Sequence, residues 1–392
     1  MSEWRLRKRW EIVQFHYKNN ICFRKKVGKK INSKWESLPI LTKSDFQRPM
    51  NEVLTTGFSK NKVYISSTSG SSGHPFYFAK DKFTHALAWA NIEARYKNLG
   101  INIGDLEARF YGIPKEPKYY YFEKCKDLII NRYRFSVFDL SDKICESYLN
   151  IFNKLLFKYV YGYTNSIVLF ARFILSNNLN FKVLCPTLQC VIVTSEVCTK
   201  EDKELIGNAF KVPVYNEYGA SEFGYIGYDD GNDSWAISEN MLYIENDSDN
   251  NLLITDLHNK AYPFIRYKIG DNADIRLISG GQKRIRQLKG RTNDKIVLPS
   301  GKISPGLTFY YISRSVLEKT NILKEFIIKQ TKLDYFIFDV VSSKPIDDQI
   351  ISELQNKLEH YLEPGLTLEI NRVKSIQRPN SGKIKHFYSM LD

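Results

Sequence analysis

Residues Ser66-Ser67-Thr68-Ser69-Gly70-Ser71-Ser72-Gly73-His74-Pro75 contain hydroxyls and glycines and no large apolar side chain. Such a run has no face to bury, so it must be a loop, and the chain on either side must be arranged around it. Val63-Tyr64-Ile65 before it reads as a short strand. The segment after it, with Phe83, Leu87, Ala90 and Ala94 in a helical pattern, reads as a helix. Strand, loop and helix together fit a phosphate cradle. Gly70 and Gly73 let the backbone turn several N–H groups toward one anion, and the hydroxyls of Thr68, Ser69, Ser71 and Ser72 add donors. The same composition also suits a flexible linker. A Walker loop is excluded, because no Gly-Lys-Ser/Thr follows the first glycine at the required distance.

Downstream, short apolar strands alternate with helical periods. Strands are expected at 137–140, 191–194 and 212–215, and helices at 144–159, 166–175 and 200–210. Alternation of this kind predicts an α/β domain with a largely parallel sheet, whose ligands sit at the carboxyl ends of the strands. From 235 to about 277 the pattern becomes a β meander. Beyond Gly301 a smaller α+β unit follows, with a helix at 312–319, strands at 325–329 and 335–341, a helix at 346–361 and a strand at 366–370. The expected division is a large domain over 1–292 and a small one over 293–392.

The chain of 392 residues carries 57 Lys and Arg against 43 Asp and Glu, a formal charge of +14, which implies anionic company such as a nucleotide, a coenzyme, nucleic acid or an acidic membrane face. Part of the surplus is near the start, in Arg5, Arg7, Lys8 and Arg9 among Trp4, Leu6, Trp10 and Ile12. That helix either packs its apolar stripe on the domain or lies on a membrane as a basic amphipathic segment. Six scattered cysteines make no C-x-x-C pair, no apolar run is long enough to span a bilayer, and the opening residues lack a secretory apolar stretch. A cytoplasmic protein is expected.

Four further segments follow the loop in order: Tyr218-Gly219-Ala220-Ser221-Glu222; Thr255-Asp256-Leu257 with Pro263-Phe264-Ile265-Arg266-Tyr267-Lys268-Ile269-Gly270-Asp271; Gly290-Arg291-Thr292-Asn293-Asp294; and Arg378-Pro379-Asn380-Ser381-Gly382-Lys383. Together with Leu38-Pro39-Ile40-Leu41-Thr42-Lys43-Ser44-Asp45, this set resembles the adenylate-forming (acyl-AMP) ligase superfamily. Within it, the set is similar to the phenylacetate–coenzyme A ligase family and its CapK-like capsule-biosynthesis branch.

The resemblance implies an AMP-forming acid ligase with a mobile C-terminal lid. Residues 68–73 would hold pyrophosphate, Tyr218 would stack on adenine, and Gly219 and Ser221 would lie by the phosphates. Glu222 would take Mg²⁺, Asp271 the ribose hydroxyls, and Arg291 ribose and phosphate oxygens. Lys383 would swing to the α-phosphate about a hinge at Asn293. The residue types suit these roles, since a lone carboxylate can share a magnesium with phosphate oxygens, and a guanidinium forks onto them. Tyr161, Tyr163, Ser195 and Glu196 are the candidate acid pocket.

Two departures stand out. His74 replaces a lysine common in relatives, and residues 275–289 lack the cysteines that bind zinc in many members of the branch, so no zinc is expected. The implied cofactors are ATP, Mg²⁺ and possibly CoA. The implied partners are a small carboxylic acid and a CoA, amine or hydroxyl acceptor, with a homodimer also allowed and no nucleic acid expected. Three functions follow: an acyl-CoA ligase; a ligase joining the acid to a sugar or amino acid in capsule polysaccharide synthesis; or a basic nucleic-acid- or membrane-binding protein on an idle scaffold.

Overall fold

The computed structural model describes residues 2–67, 77–112, 117–137, 140–229, 231, 234–278, 281–291, 295–305, 308–309, 312, 323–342, 344–377 and 386–391. Two compact units are present, one of residues 1–269 and 274–287, the other of 270–273 and 288–392.

The first unit opens with helices α1 (Ser2–Asn19), α2 (Ile21–Val27), α3 (Lys43–Phe46) and α4 (Met50–Val53). A hairpin of β1 (Val63–Ser67) and β2 (Tyr77–Asp81) then leads into α5 (Lys82–Asn98). The α/β part is β3 (Glu107–Phe110), α6 (Pro117–Ile129), β4 (Arg132–Phe135), α7 (Asp142–Lys154), β5 (Tyr159–Tyr163), α8 (Thr164–Ser176), α9 (Phe181–Leu184), β6 (Cys190–Thr194), α10 (Lys200–Phe210) and β7 (Val214–Ala220). The meander is β8 (Gly224–Asp229), β9 (Trp235–Ile237), β10 (Leu242–Asn246), β11 (Asn251–Asp256), β12 (Tyr267–Leu277) and β13 (Lys283–Arg291). Among the described residues these strands form one sheet in the order β10-β11-β12-β13-β9-β8-β7-β6-β5-β3-β4. From β4 to β7 the pairing is parallel. It turns antiparallel at β8.

Side-chain alternation gives the parallel strands two different faces. Ala108, Phe110, Val160, Val191, Val193 and Val214 point into an apolar core closed by residues of α7, α8 and α10, such as Phe152, Phe170 and Phe210. The opposite face carries Tyr159, Tyr161, Cys190, Ile192 and Tyr215, packed with Tyr96 and Leu99 from the end of α5. Glu107 lies at the edge of this second face, where the Tyr159 hydroxyl donates to it at 2.9 Å and it pairs with Arg109 and Arg132. Arg134 pairs in turn with Asp127 at 2.8 Å and Glu123 at 3.0 Å. The charges of β4 thus meet a buried acidic layer. A strand not expected from the sequence thus forms at 132–135, with two arginines, while the strand expected at 137–140 falls partly outside the described residues.

Other elements also differ from the sequence reading. A second strand, β2, intervenes between the Ser/Gly loop and α5, so the expected strand-loop-helix is a hairpin followed by a helix; Ser67 pairs with Tyr77 across it. Phe83 is 66% exposed, and the inward side of α5 carries polar groups instead: Asn91 donates to Ser238 Oγ at 3.1 Å, and the Arg95 guanidinium lies 4.2 Å from the Tyr228 ring centre. Tyr159 starts β5 rather than ending a helix, and β7 continues past Tyr215 to Ala220 because β8 pairs with it.

The basic N-terminal helix turns part of its charge inward. Arg5 is buried and pairs with Glu239, while Arg9 lies 4.4 Å over Trp35 and donates to the Tyr243 hydroxyl at 2.6 Å. Leu6, placed on the apolar stripe by the sequence reading, is exposed. Arg7 is also exposed. No helix among the described residues is long and apolar enough to cross a membrane.

Arg266 fastens the early Leu38–Asp45 run to the meander. Its guanidinium donates to the carbonyls of Glu36 (2.9 Å) and Leu38 (2.7 Å) and to Glu245 (2.9 Å). Its own N–H donates to Thr255 Oγ1 at 2.9 Å, which holds a left-handed φ of 46°. Leu41 completes the joint, its N–H on the Arg266 carbonyl and its carbonyl on the Lys268 N–H.

The second unit has β14 (Lys295–Val297) paired with β15 (Ile303–Pro305), and a four-stranded sheet in the order β18-β17-β16-β19, with β16 (Leu323–Lys332), β17 (Tyr335–Ser342), β18 (Thr367–Arg372) and β19 (Phe387–Ser389). The helix Asp348–Tyr361 is capped by Asp347, which accepts the Ile350 N–H at 2.8 Å. It contributes Ile350, Leu354 and Leu358, one helical stripe, to a core with Phe336, Phe338 and Val340. The expected helix at 312–319 lies almost wholly outside the described residues.

Replacing Arg266 with Met should leave Glu245 and two carbonyls short of a buried donor. A loss of about 3 kcal/mol in unfolding free energy is expected from urea titration; a loss below about 1 kcal/mol would contradict the fastening role.

Candidate active site

Strands β5, β6 and β7 are parallel neighbours, so their carboxyl ends are adjacent: Tyr163 is level with Thr194 and Thr194 with Glu217, and β7 runs on to Ala220. Directly beyond β7 the sheet changes from parallel to antiparallel. At these ends stand Tyr161, Tyr163, Ser195, Glu196, Tyr218, Gly219, Ser221 and Glu222, drawn from separate stretches of the sequence. Ligand sites of open α/β sheets form at such ends.

Around Tyr161 and Tyr163 the lining is aromatic and polar together. Tyr111, just beyond β3, lies 5.8 Å from the Tyr161 ring and 4.0 Å from the Tyr163 ring. Its hydroxyl is 3.4 Å from Ser195 Oγ. The Arg109 guanidinium is 4.7 Å from the Tyr161 ring centre and 5.1 Å from that of Tyr111. Ser195 has a left-handed φ of 68° and is exposed. Glu196, in contrast, is engaged structurally: its carboxylate accepts the Asn165 N–H at 2.9 Å in the first turn of α8, where a negative charge suits the helix dipole.

Beside this patch, on β7, Glu217 is 8% exposed. Burial pushes its carboxyl up to about 8, against the pull of Arg95, the Tyr96 hydroxyl and Arg109, with Glu107 adding to the rise.

Tyr218 and Gly219 lie on the strand rather than on a loop, paired with Gly227 and Tyr225 across a bulge. A Cβ at Gly219 would meet the Gly224 carbonyl oxygen at 2.5 Å, so no larger residue fits this hairpin. Glu222 closes the turn, 6% exposed, and accepts the Tyr267 hydroxyl at 3.4 Å, which joins the Tyr218–Glu222 and Pro263–Asp271 motifs. Lys80 of β2 is also 6% exposed, and burial lowers its pKa, opposed by Asp256 and Glu222. Asp256 accepts the N–H groups of His258 and Asn259, both at 2.9 Å.

Asp271 is half-buried on β12, in the short piece 270–273 that belongs to the second unit, and Arg291 ends β13. Thr68, Ser69, Gly70, Ser71, Ser72, Gly73, Asn293 and Lys383 lie outside the described residues. Tyr111, Arg109, Glu217 and Lys80 were not among the residues expected from the sequence. The one available signal for the first two was the alternation of charge with apolar residues in Glu107-Ala108-Arg109-Phe110-Tyr111.

Among the described residues no group of three or more His, Cys, Asp or Glu could form a metal cage. A magnesium carried on nucleotide phosphates asks less of a protein, one or two carboxylates with the rest of its shell from phosphate and water. Glu222, inward-facing and held by Tyr267, fits that requirement.

Since Glu217 holds its proton in the fold well above the usual 4.5, the folded state binds more protons than the unfolded one between pH 4.5 and 8. Stability should therefore fall as pH rises through that window, by up to about 1.4 kcal/mol per unit. Urea midpoints for Glu217→Gln should show a flatter slope there, and an unchanged slope would contradict the assignment.

No protein-family model matches the chain. It is similar to Protein CapK of Staphylococcus aureus, 25% identical over 393 residues that make up 95% of this chain and 82% of that one. Among solved structures it is similar to a 2-hydroxyisobutyryl-CoA ligase in the postadenylation state in complex with 2-HIB-AMP, with TM-score 0.73, 16% identity, and coverage of 98% of this chain and 88% of that chain. It is also similar to O-succinylbenzoate coenzyme A synthetase (MenE) from Bacillus subtilis in complex with AMP, with TM-score 0.53, 16% identity, and coverage of 82% and 67%. The α/β fold of this chain is that of the adenylate-forming ligases.

Proposed function

We propose that this chain, built on the fold of the adenylate-forming ligases, activates a carboxylic acid with ATP and passes the acyl group to an acceptor. The observation that carries this reading is the convergence of the Tyr218–Glu222 motif with Tyr161, Tyr163 and Ser195 at adjacent carboxyl ends of parallel strands. In the first step a carboxylate oxygen attacks the α-phosphorus and the bond to pyrophosphate breaks. In the second the acceptor attacks the acyl carbonyl, and AMP leaves with that carboxyl oxygen.

The parts divide by chemistry. Tyr218 offers adenine a ring face, Asp271 accepts from the ribose hydroxyls, and Arg291 serves ribose and phosphate oxygens. Residues 68–73, with Gly219 and Ser221, meet the phosphates. Glu222 holds the magnesium that neutralises phosphate charge, and Lys383 approaches the α-phosphate as the small unit pivots at Asn293. The acid lies on the tyrosines 111, 161 and 163, and Arg109 and Ser195 give this pocket a polar side. Tyr111 and Arg109 take the place that Glu196 was expected to fill, since its carboxylate is held by α8.

CoA is the acceptor we favour, because basic residues suit its phosphates and the structural relatives include CoA ligases. The likeness to CapK supports a second reading, an amide- or ester-forming ligase acting on a sugar or amino acid. A basic membrane-binding role is less favoured, because Arg5 and Arg9 of α1 are engaged within the unit.

A panel of carboxylic acids incubated with ATP, magnesium and hydroxylamine should yield pyrophosphate and a hydroxamate for at least one acid; no release with any acid would contradict the proposal. Replacing hydroxylamine with CoA or with amino sugars and amino acids separates the two acceptor readings. Lys383→Ala is expected to lower adenylation at least about a hundredfold while sparing transfer from supplied acyl-AMP, and equal losses in both steps would refute the swinging role. Glu222→Gln should raise the magnesium concentration needed for half-maximal rate about tenfold or more.

A further inference from the structure

Helix α6 is turned the opposite way from an ordinary surface helix. Its carboxylates point inward, onto β4, the outermost strand of the large sheet. Asp127 is buried and pairs with Arg134 at 2.8 Å, and Glu123 meets the same guanidinium at 3.0 Å. The side away from β4 is apolar. Tyr121, Phe122, Leu128 and Ile129 are 60–83% exposed, and the free Cys125 between them is exposed as well. Spacings of three and four residues place all five on one stripe. A helix at a protein surface ordinarily buries such a stripe and shows its charges to water.

The order of residues along the stripe indicates what covers it. The aromatic pair precedes Cys125 and the aliphatic pair follows it, three and four residues away on either side. An antiparallel copy of the same stripe therefore sets each ring against a branched aliphatic side chain, with the small Cys125 at the crossing point, where the two helix axes come closest. With about 150–200 Å² for each full side chain, the four large residues expose roughly 500 Å² per copy. A symmetric pair would then bury about 1,000 Å², the size at which a specific interface begins. Lys124 and Lys126, which border the stripe, are held by groups of their own copy. Lys124 lies 5.8 Å from the ring centres of Tyr120 and Tyr133, and Lys126 pairs with Glu123 at 2.8 Å, so like charges need not meet across the axis. We infer that this chain forms a two-fold dimer through α6, with Cys125 at the axis, Tyr121 against Ile129 of the second copy and Phe122 against its Leu128.

The test uses the full-length protein in sedimentation equilibrium and with a short bismaleimide. At micromolar concentration the native protein should have twice the chain mass of 45.7 kDa. The double variant Leu128→Glu with Ile129→Glu should associate about a hundredfold more weakly, because each substitution enters a two-fold interface twice. Its far-UV circular dichroism and urea midpoint should stay native, since both side chains are exposed. The bismaleimide should link two native chains, and Cys125→Ser should abolish the link; this arm needs no variant at the apolar positions and stands even if the double variant fails to fold. A native protein that stays monomeric overturns the inference, as does a dimer that the double variant leaves intact or that cannot be linked through Cys125. Vesicles of phosphatidylcholine and phosphatidylserine test the competing occupant: a monomer that binds them, and loses them in the double variant, assigns the stripe to a lipid surface instead.

Discussion

Parallel pairing of β3 through β7 is the constraint on which the rest of the first unit depends. Parallel strands need crossover helices, which bury the apolar face under α7, α8 and α10. Their ends must also point the same way. Three ends that are distant in sequence are thereby set side by side, and the next hairpin reverses the pairing beyond them. The reversal needs a tight turn, and Gly219 against the Gly224 carbonyl allows it. Glu222 is buried because it closes that turn, not because of any sequence preference of its own.

The second consequence is electrostatic. The face opposite the apolar core carries Glu107, Arg109, Tyr159, Tyr161 and Glu217 in a low-dielectric layer. Charges there are tolerated through mutual pairing or by giving up ionisation, as the raised Glu217 carboxyl does. Several arginines are committed in the same way: Arg5 to Glu239, Arg134 to Asp127 and Glu123, Arg266 to Glu245 and two carbonyls.

Much of this was legible in the sequence because the apolar patterns were strong. Val191-Ile192-Val193 is an uninterrupted β-branched run, and the helix over 200–210 carries its own capping box of Thr199 and Asp202. Strands containing charge were hidden. Arg132-Tyr133-Arg134-Phe135 and Tyr77-Phe78-Ala79-Lys80-Asp81 read as polar segments until their partners are known, since pairing across a buried acid or along β1 is tertiary information. The site divides the same way. Motif residues stood out as types, but Arg109 and Tyr111 reach the site through strand register, and Glu196 was drawn to the start of α8 by the free N–H groups there. α1 is a related case: its inward side includes Arg5, which is buried and pairs with Glu239.

Carboxylate attack on the α-phosphorus is the central chemical claim, and an isotope label follows it atom by atom. An acid that supports pyrophosphate release is prepared with ¹⁸O in its carboxyl group and carried through one turnover to the acceptor. The predicted result is AMP that carries one ¹⁸O from the acid. AMP free of label, with the oxygen kept in the acyl product, would contradict it.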